Sequence, residues 1–223
     1  MLRKSIGDDY VIKAVIFDLE GVLVTTDEFH FDAWKRLAEQ LGISDFTKAD
    51  NVRQRGVSRM ASLEVLLEKS DNIYTDSQKL ELADIKNNYY VKLLETLSKD
   101  DILPGVEKFL DFLKSKGIKT AVGSASKNAP FILKKTGLEE CFDAICSGID
   151  TQKSKPDPEV FLIAANKLGE APENCLVVED SDAGILAAKN AGMYALGVGA
   201  AFNNPIADYN ALSIDNFEFE KIF

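Results

Sequence analysis

Apolar positions along this chain follow two different periods. "KAVIFD", Lys13 to Asp18, is a nearly unbroken apolar run that stops at an acid. That is the pattern of a strand buried on both faces of a parallel sheet. From Asp27 the period changes. "DEFHFDAWKRLAEQLG" spaces Phe31, Trp34, Leu37, Ala38 and Leu41 as one helical face, and Gly42 supplies a stop. "SRMASLEVLLEKS" and "SQKLELADIKNNYYVKLLETLS" keep the helical period, and no strand pattern occurs from about Thr26 to Leu97. "LPGVEKFLDFLKSKG" predicts a helix with Pro104 near its start and Gly117 after its end. Strands "IKTAVGSAS", "FDAICSG", "NCLVVEDS" and "YALGVG" then alternate with helices "NAPFILKKTG", "PDPEVFLIAANKLG" and "AGILAAKNAG".

Strands alternating with helices predict an α/β fold: a Rossmann-like parallel sheet with helices on both faces. The helical stretch interrupts it after the first strand and reads as an inserted all-helical cap. The expected division is a core of residues 11–25 and 96–223 and a cap of residues 26–95. No internal repeat or low-complexity segment is present.

In such sheets ligands bind beyond the carboxyl ends of the strands, so the residues that end each strand carry the chemistry. The first strand ends in Asp18, followed by Glu20. "TAVGSAS" delivers Ser124, "FDAICSG" leads through "DTQKSKPDP" to Lys155, and "CLVVED" ends in Glu179 and Asp180. Each alone has a plainer role as a helix cap, a turn residue or a solvated charge. Together they bring several carboxylates, a hydroxyl and an ammonium to one rim. Clustered carboxylates repel one another unless a cation neutralises them, and an all-oxygen ligand set suits Mg²⁺. Ser124 with the following helix start makes an anion site. Lys155 can neutralise a transferring phosphoryl group. An aspartate among them can attack phosphorus, and a second carboxylate two residues on can serve as general acid/base.

Composition narrows the partners. The 223 residues are 46% hydrophobic, enough for one or two well-formed cores, and the formal net charge is −10 without a long basic run. Nucleic acid and anionic lipid are therefore disfavoured, and a phosphate substrate must be attracted locally. Cys141, Cys146 and Cys175 form no CxxC pair and suggest reduced thiols. "MLRKSIGDDY" lacks an apolar signal core, and no run reaches the ~18 residues of a membrane span. The expectation is a cytoplasmic monomer acting on a small molecule.

"DLEGVLV", "SAS", "KPDP" and "VVEDSDAGILAAKNAG" resemble the four ordered motifs of the haloacid-dehalogenase-like phosphotransferase superfamily. The helical insert is similar to the four-helix cap of its β-phosphoglucomutase-like branch, and the likeness runs from about Val11 to Gly199. "HFDAWKRLAEQLGI", "GVSRMASLEVLL", "KNNYYVKLL" and "SASKNAPFILKKTGL" strengthen the match to that branch. The resemblance implies a Mg²⁺-dependent phosphotransferase that converts β-glucose 1-phosphate to glucose 6-phosphate. It would pass through an aspartyl-phosphate on Asp18 and a bound bisphosphate. Glu20 would be the acid/base, and Asp18, Glu20 (through its carbonyl), Glu179 and Asp180 the metal ligands. Ser124 and Lys155 would hold the transferring phosphate, and Ala125 and Asn128 would also bind phosphate. Gly56, Val57, Ser58, Arg59 and Ser62, with His30, Trp34 and Lys86, would select the sugar phosphate. Thr25 and Thr26 are the expected hinge.

Family members usually carry aspartate where this chain has Glu20. The extra methylene leaves the backbone ligand intact but shifts the acid/base, and a misplacement of about 1 Å can cost on the order of 10²-fold in rate. A phosphatase of small phosphate esters, or a weakly catalytic sugar-phosphate binder, are the alternative readings.

Overall fold

The computed structural model describes residues 12–54 and 57–223; Gly56, one of the expected cap contacts, lies outside them. Six strands form one sheet: β1 (Ala14–Phe17), β2 (Lys119–Gly123), β3 (Ala144–Cys146), β4 (Cys175–Glu179), β5 (Tyr194–Gly197) and β6 (Tyr209–Asn210). Their order is β3-β2-β1-β4-β5-β6, and every pairing is parallel. The strand order reverses around β1, which pairs with β2 on one side and β4 on the other. That is where a doubly wound sheet opens its crevice.

The near-continuous apolar strand pattern follows from burial on both faces. Val15 and Phe17 of β1 pack with Phe109, Leu113 and Leu133. Ala14 and Ile16 point to the other face, against Phe161, Ala164 and Ile185. The first of these layers is α5 (Val106–Ser115) and α6 (Ala129–Thr136), and the second is α7 (Glu159–Leu168) and α8 (Asp182–Asn190). The helix predicted around Pro104 begins at Val106, behind a left-handed Gly105.

Between β1 and α5 lie α1 (Asp27–Gln40), α2 (Lys48–Arg53), α3 (Arg59–Leu67) and α4 (Asp76–Leu94). The short α2 escaped the periodicity reading because six residues give less than two turns. These helices share a separate apolar cluster around Trp34, Leu37, Phe46, Leu63, Leu66 and Leu82. Tyr90 and Leu94, near the end of α4, join the cluster of the sheet instead. The helical block therefore has its own core and one end seated on the sheet domain. Among the described residues no helix is long and apolar enough to cross a membrane.

Candidate active site

The carboxyl ends of β1, β2 and β4 face the helical block across a cavity of about 800 Å³. Asp18 follows β1, and its N–H continues the ladder by donating to Val178 O at 2.9 Å. Glu179 ends β4, and its carbonyl accepts from Val198 N at 2.8 Å. Both side chains are nearly buried, 8% and 1% exposed. Lys155, 6% exposed, lies between them: Nζ is 2.6 Å from Asp18 Oδ1 and 2.6 Å from Glu179 Oε1. Glu179 Oε2 accepts from Ser181 N at 2.8 Å and Ser181 Oγ at 3.2 Å.

Carboxylate oxygens of Asp18, Glu179 and Asp180 come within 4.8 Å of one another. Burial, with Glu179 and Glu20 nearby, raises the Asp18 carboxyl to about 7 despite the Lys155 ammonium. The same two acids hold the Lys155 ammonium charged against its own burial. Three carboxylates against one ammonium are balanced by a doubly charged cation, and the donors are all hard oxygens. The residues fit the metal that the sequence implies.

Two glycines make room for these acids. Gly21 has φ +84°, and a Cβ there would lie 2.1 Å from Asp180 Oδ2. A Cβ on Gly184, in the first turn of α8, would lie 1.8 Å from Glu179 Oε1.

Ser124, 2% exposed, stands directly after β2, and its Oγ accepts from Ser126 N at 3.1 Å. Ala125 follows it on the cavity wall. Asn128 precedes α6, and its Nδ2 donates across the cavity to Asn87 Oδ1 at 3.1 Å.

Glu20 does not join the carboxylate cluster; its side chain turns toward the helical block. Oε1 accepts from Thr26 Oγ1 at 3.0 Å, from His30 Nε2 at 3.0 Å and from the Tyr90 hydroxyl. Burial alone would raise its carboxyl, but His30, Tyr90 and Thr26 together hold it down at about 2. His30 Nδ1 is 2.8 Å from Lys86 Nζ. An ammonium can only donate, so Nδ1 accepts and Nε2 carries the proton donated to Glu20. Burial and the Lys86 ammonium push His30 down in agreement with this neutral tautomer. Lys86, 3% exposed, is itself lowered to about 7 by burial and by Arg59. Its Nζ lies 4.7 Å from the Trp34 ring and 4.6 Å from the Tyr90 ring.

On the far wall, Arg59 Nη2 donates to Asn87 Oδ1 at 2.8 Å, with Asp84 at 3.7 Å. Ser58 caps α3 by accepting from Ala61 N at 3.2 Å, and Val57 lines the cavity beside it. Ser62 is buried, with its hydroxyl turned to Gln54 O at 3.5 Å. Trp34 is 2% exposed and packs chiefly in the helical core while touching the cavity.

A family model described as haloacid dehalogenase-like hydrolase matches residues 12–192. The chain belongs to the haloacid dehalogenase-like hydrolase family. It is 45% identical over 190 residues to a β-phosphoglucomutase of Bacillus subtilis, covering 84% of each chain. It is 34% identical over 189 residues to a phosphorylated carbohydrates phosphatase of Thermotoga maritima, covering 82% of each. A solved β-phosphoglucomutase from Clostridium difficile superposes with a TM-score of 0.88 at 40% identity, covering 95% of this chain and 96% of that one. This haloacid dehalogenase-like chain is an enzyme, and the four motif segments meet around one cavity.

Asn87 on the far wall and Tyr90 at the Glu20 cluster carry bonds that the sequence reading missed. Both lie in "KNNYY" on α4, Asn87 one residue and Tyr90 four residues after Lys86. Helical spacing from Lys86 would have placed Tyr90 beside it.

Gly184→Ala provides a test of the carboxylate packing. The added methyl is expected to push Glu179 off Lys155, lowering stability by about 1–3 kcal/mol. Phosphate-ester turnover should fall at least about tenfold alongside, measured by urea denaturation and by phosphate release from a chromogenic ester.

Proposed function

We propose that this enzyme is a Mg²⁺-dependent sugar-phosphate phosphomutase, interconverting β-glucose 1-phosphate and glucose 6-phosphate. The observation that carries this reading is the pairing of two clusters across one cavity. One is Asp18 with Lys155 and Glu179. The other is Glu20 with Thr26, His30 and Tyr90 on the helical side. A hydrolase also needs an acid/base, to protonate its leaving group and to activate water; transfer to a sugar is favoured by where this one is held. The second gives an acid/base held by the element that closes over the substrate. The similarity to the Bacillus subtilis and Clostridium difficile β-phosphoglucomutases supports the same substrate.

In this reading Asp18 is the nucleophile and carries the phosphoryl group. Lys155 and Ser124, with the backbone at Ala125, neutralise and orient that group. Asp18, Glu179 and Asp180, with the carbonyl of Glu20, would hold Mg²⁺, which supplies charge for the transferring phosphate oxygens. Starting from phosphorylated Asp18, the 6-hydroxyl of β-glucose 1-phosphate attacks phosphorus. The bond from phosphorus to Asp18 breaks, and the hydroxyl proton passes to Glu20. In the free enzyme its three donors hold it ionised, so it has a site free to accept that proton. The bisphosphate then turns over. Asp18 attacks the other phosphorus, the bond to O1 breaks, and Glu20 returns its proton to that leaving oxygen. The Lys86–His30 pair is placed to follow the charge on Glu20 through both steps.

Residues 26–95 act as the cap. Their separate apolar cluster supports motion as a unit, and the crossing at Thr25 is tied to the second crossing by Thr25 N to Asp101 O at 3.2 Å. Closure excludes water, which separates transfer to a sugar from hydrolysis. Arg59 and Asn128 would then take the phosphate at the other end of the substrate. Lys86, His30, Trp34, Val57, Ser58 and Ser62 line the sugar side.

A coupled assay for glucose 6-phosphate from β-glucose 1-phosphate, primed with glucose 1,6-bisphosphate, tests the reading. Formation of glucose 6-phosphate well above phosphate release is expected. Phosphate without glucose 6-phosphate would instead establish the phosphatase reading, which the Thermotoga maritima relative illustrates. In the same assay Glu20→Ala should lose at least about 10²-fold in turnover. Glu20→Asp should fall below the parent; a large gain would make Glu20 the mark of a binding protein.

Metal affinity should depend on pH through Asp18. With its proton leaving near 7, the ligand is blocked below that pH and open above it. Calorimetric Mg²⁺ affinity is expected to fall up to about tenfold per unit as pH drops from 7 to 5, and to level off above about 8.

A further inference from the structure

Asn87 occupies a position that neither the phosphate chemistry nor the acid/base cluster uses. It sits on α4, one residue after Lys86, and its single amide oxygen collects two donors. Arg59 Nη2 comes from the start of α3 at 2.8 Å. Asn128 Nδ2 comes from the segment that opens α6 at 3.1 Å. Arg59 belongs to the helical block and Asn128 to the sheet domain. One oxygen thus fastens the two walls of the cavity together, away from the Glu20 cluster.

The donors that meet there are the kind an anion gathers: a guanidinium fork and an amide N–H. The acceptor they share is a neutral amide oxygen, weaker than a phosphate oxygen for a charged donor. Among the described residues Arg59 also faces Asp84 at 3.7 Å, whose side chain is 78% exposed, and such a pair is heavily screened. Arg59 is partly desolvated, which lowers its guanidinium from the ordinary value. An arriving phosphate therefore improves on both contacts.

We propose that Asn87 is a positioning residue, whose amide oxygen stands in for substrate phosphate and clasps Arg59 of the cap to Asn128 of the core. This inference rests on the reading that Arg59 and Asn128 receive the phosphate distal to Asp18. In the free enzyme the clasp holds the cap near the core with its phosphate donors already facing one another. Substrate then displaces Asn87 instead of assembling the donors, so less ordering is left to the binding step. The exchange is neutral for charge on the protein and breaks no covalent bond.

Two variants of the full-length enzyme separate this from a merely structural role. Asn87→Ala removes the shared acceptor. Small-angle scattering without ligand should then show a larger radius of gyration than the parent, and saturating glucose 6-phosphate should erase the difference. Asn87→Asp keeps the acceptor and adds a negative charge where phosphate must enter. Its unliganded scattering should match the parent. Its KM for β-glucose 1-phosphate should rise about tenfold, with kcat within about threefold. Identical unliganded scattering for the parent and Asn87→Ala, or a parental KM in Asn87→Asp, would overturn the proposal. If the parent makes no glucose 6-phosphate, the mutase reading fails by itself. The unliganded comparison of Asn87→Ala with the parent still decides the clasp.

Discussion

Lys155 Nζ stands 2.6 Å from a carboxylate oxygen of Asp18 and 2.6 Å from one of Glu179, almost out of contact with water. The rest of the site is arranged around this buried triad. A parallel sheet brings the ends of β1 and β4 side by side, so two acids placed there must face each other at low dielectric. Without an internal cation, one of them would stay protonated. Lys155 keeps the pair together and leaves the Asp18 carboxyl at about 7, where, in the proposed mechanism, a cation and a phosphoryl group complete the balance. Buried pairs of this kind contribute little net stability once desolvation is counted. Their presence on the sheet edge is better explained by chemistry than by folding.

The second cluster obeys the same electrostatics with the opposite sign. Glu20 sits two residues from Asp18 but turns away from it, into three donors from Thr26, His30 and Tyr90. Two like charges two residues apart are thereby kept separate: one carboxyl is raised to about 7 and the other held at about 2. Divergent environments of this sort assign different roles to chemically similar groups. The longer side chain of Glu20 meets donors supplied by the helical block, so its placement depends on where that block sits.

Much of this was legible in the sequence, for physical reasons. Strands buried on both faces read as apolar runs, and a parallel sheet puts functional residues at their carboxyl ends. Asp18, Ser124, Glu179 and Asp180 could therefore be located by counting to the end of each run. Lys155 came from a loop and gained its weight only from the other three. What escaped is equally explicable. The two-residue β6 and the six-residue α2 are too short to show a period. Tyr90 and Asn87 lie in a polar and aromatic stretch of α4, where sequence spacing gives a face but not the partner across a cavity. Gly21 and Gly184 matter for what their missing side chains allow, and only the placed carboxylates of Asp180 and Glu179 reveal it. Ser58 and Ser62 line the cavity as expected of substrate-side residues, while their hydroxyls bond within the helical block, to Ala61 N and Gln54 O.

In the proposed mechanism Asp18 is the group that carries phosphate. The most direct measurement is to incubate the enzyme with Mg²⁺ and glucose 1,6-bisphosphate, quench in acid, and map the modified peptide by mass spectrometry. One hydroxylamine-sensitive phosphoryl group on the peptide containing Asp18, absent from Asp18→Asn, is the expected result. A phosphoryl group elsewhere, or full mutase turnover in Asp18→Asn, would contradict the account.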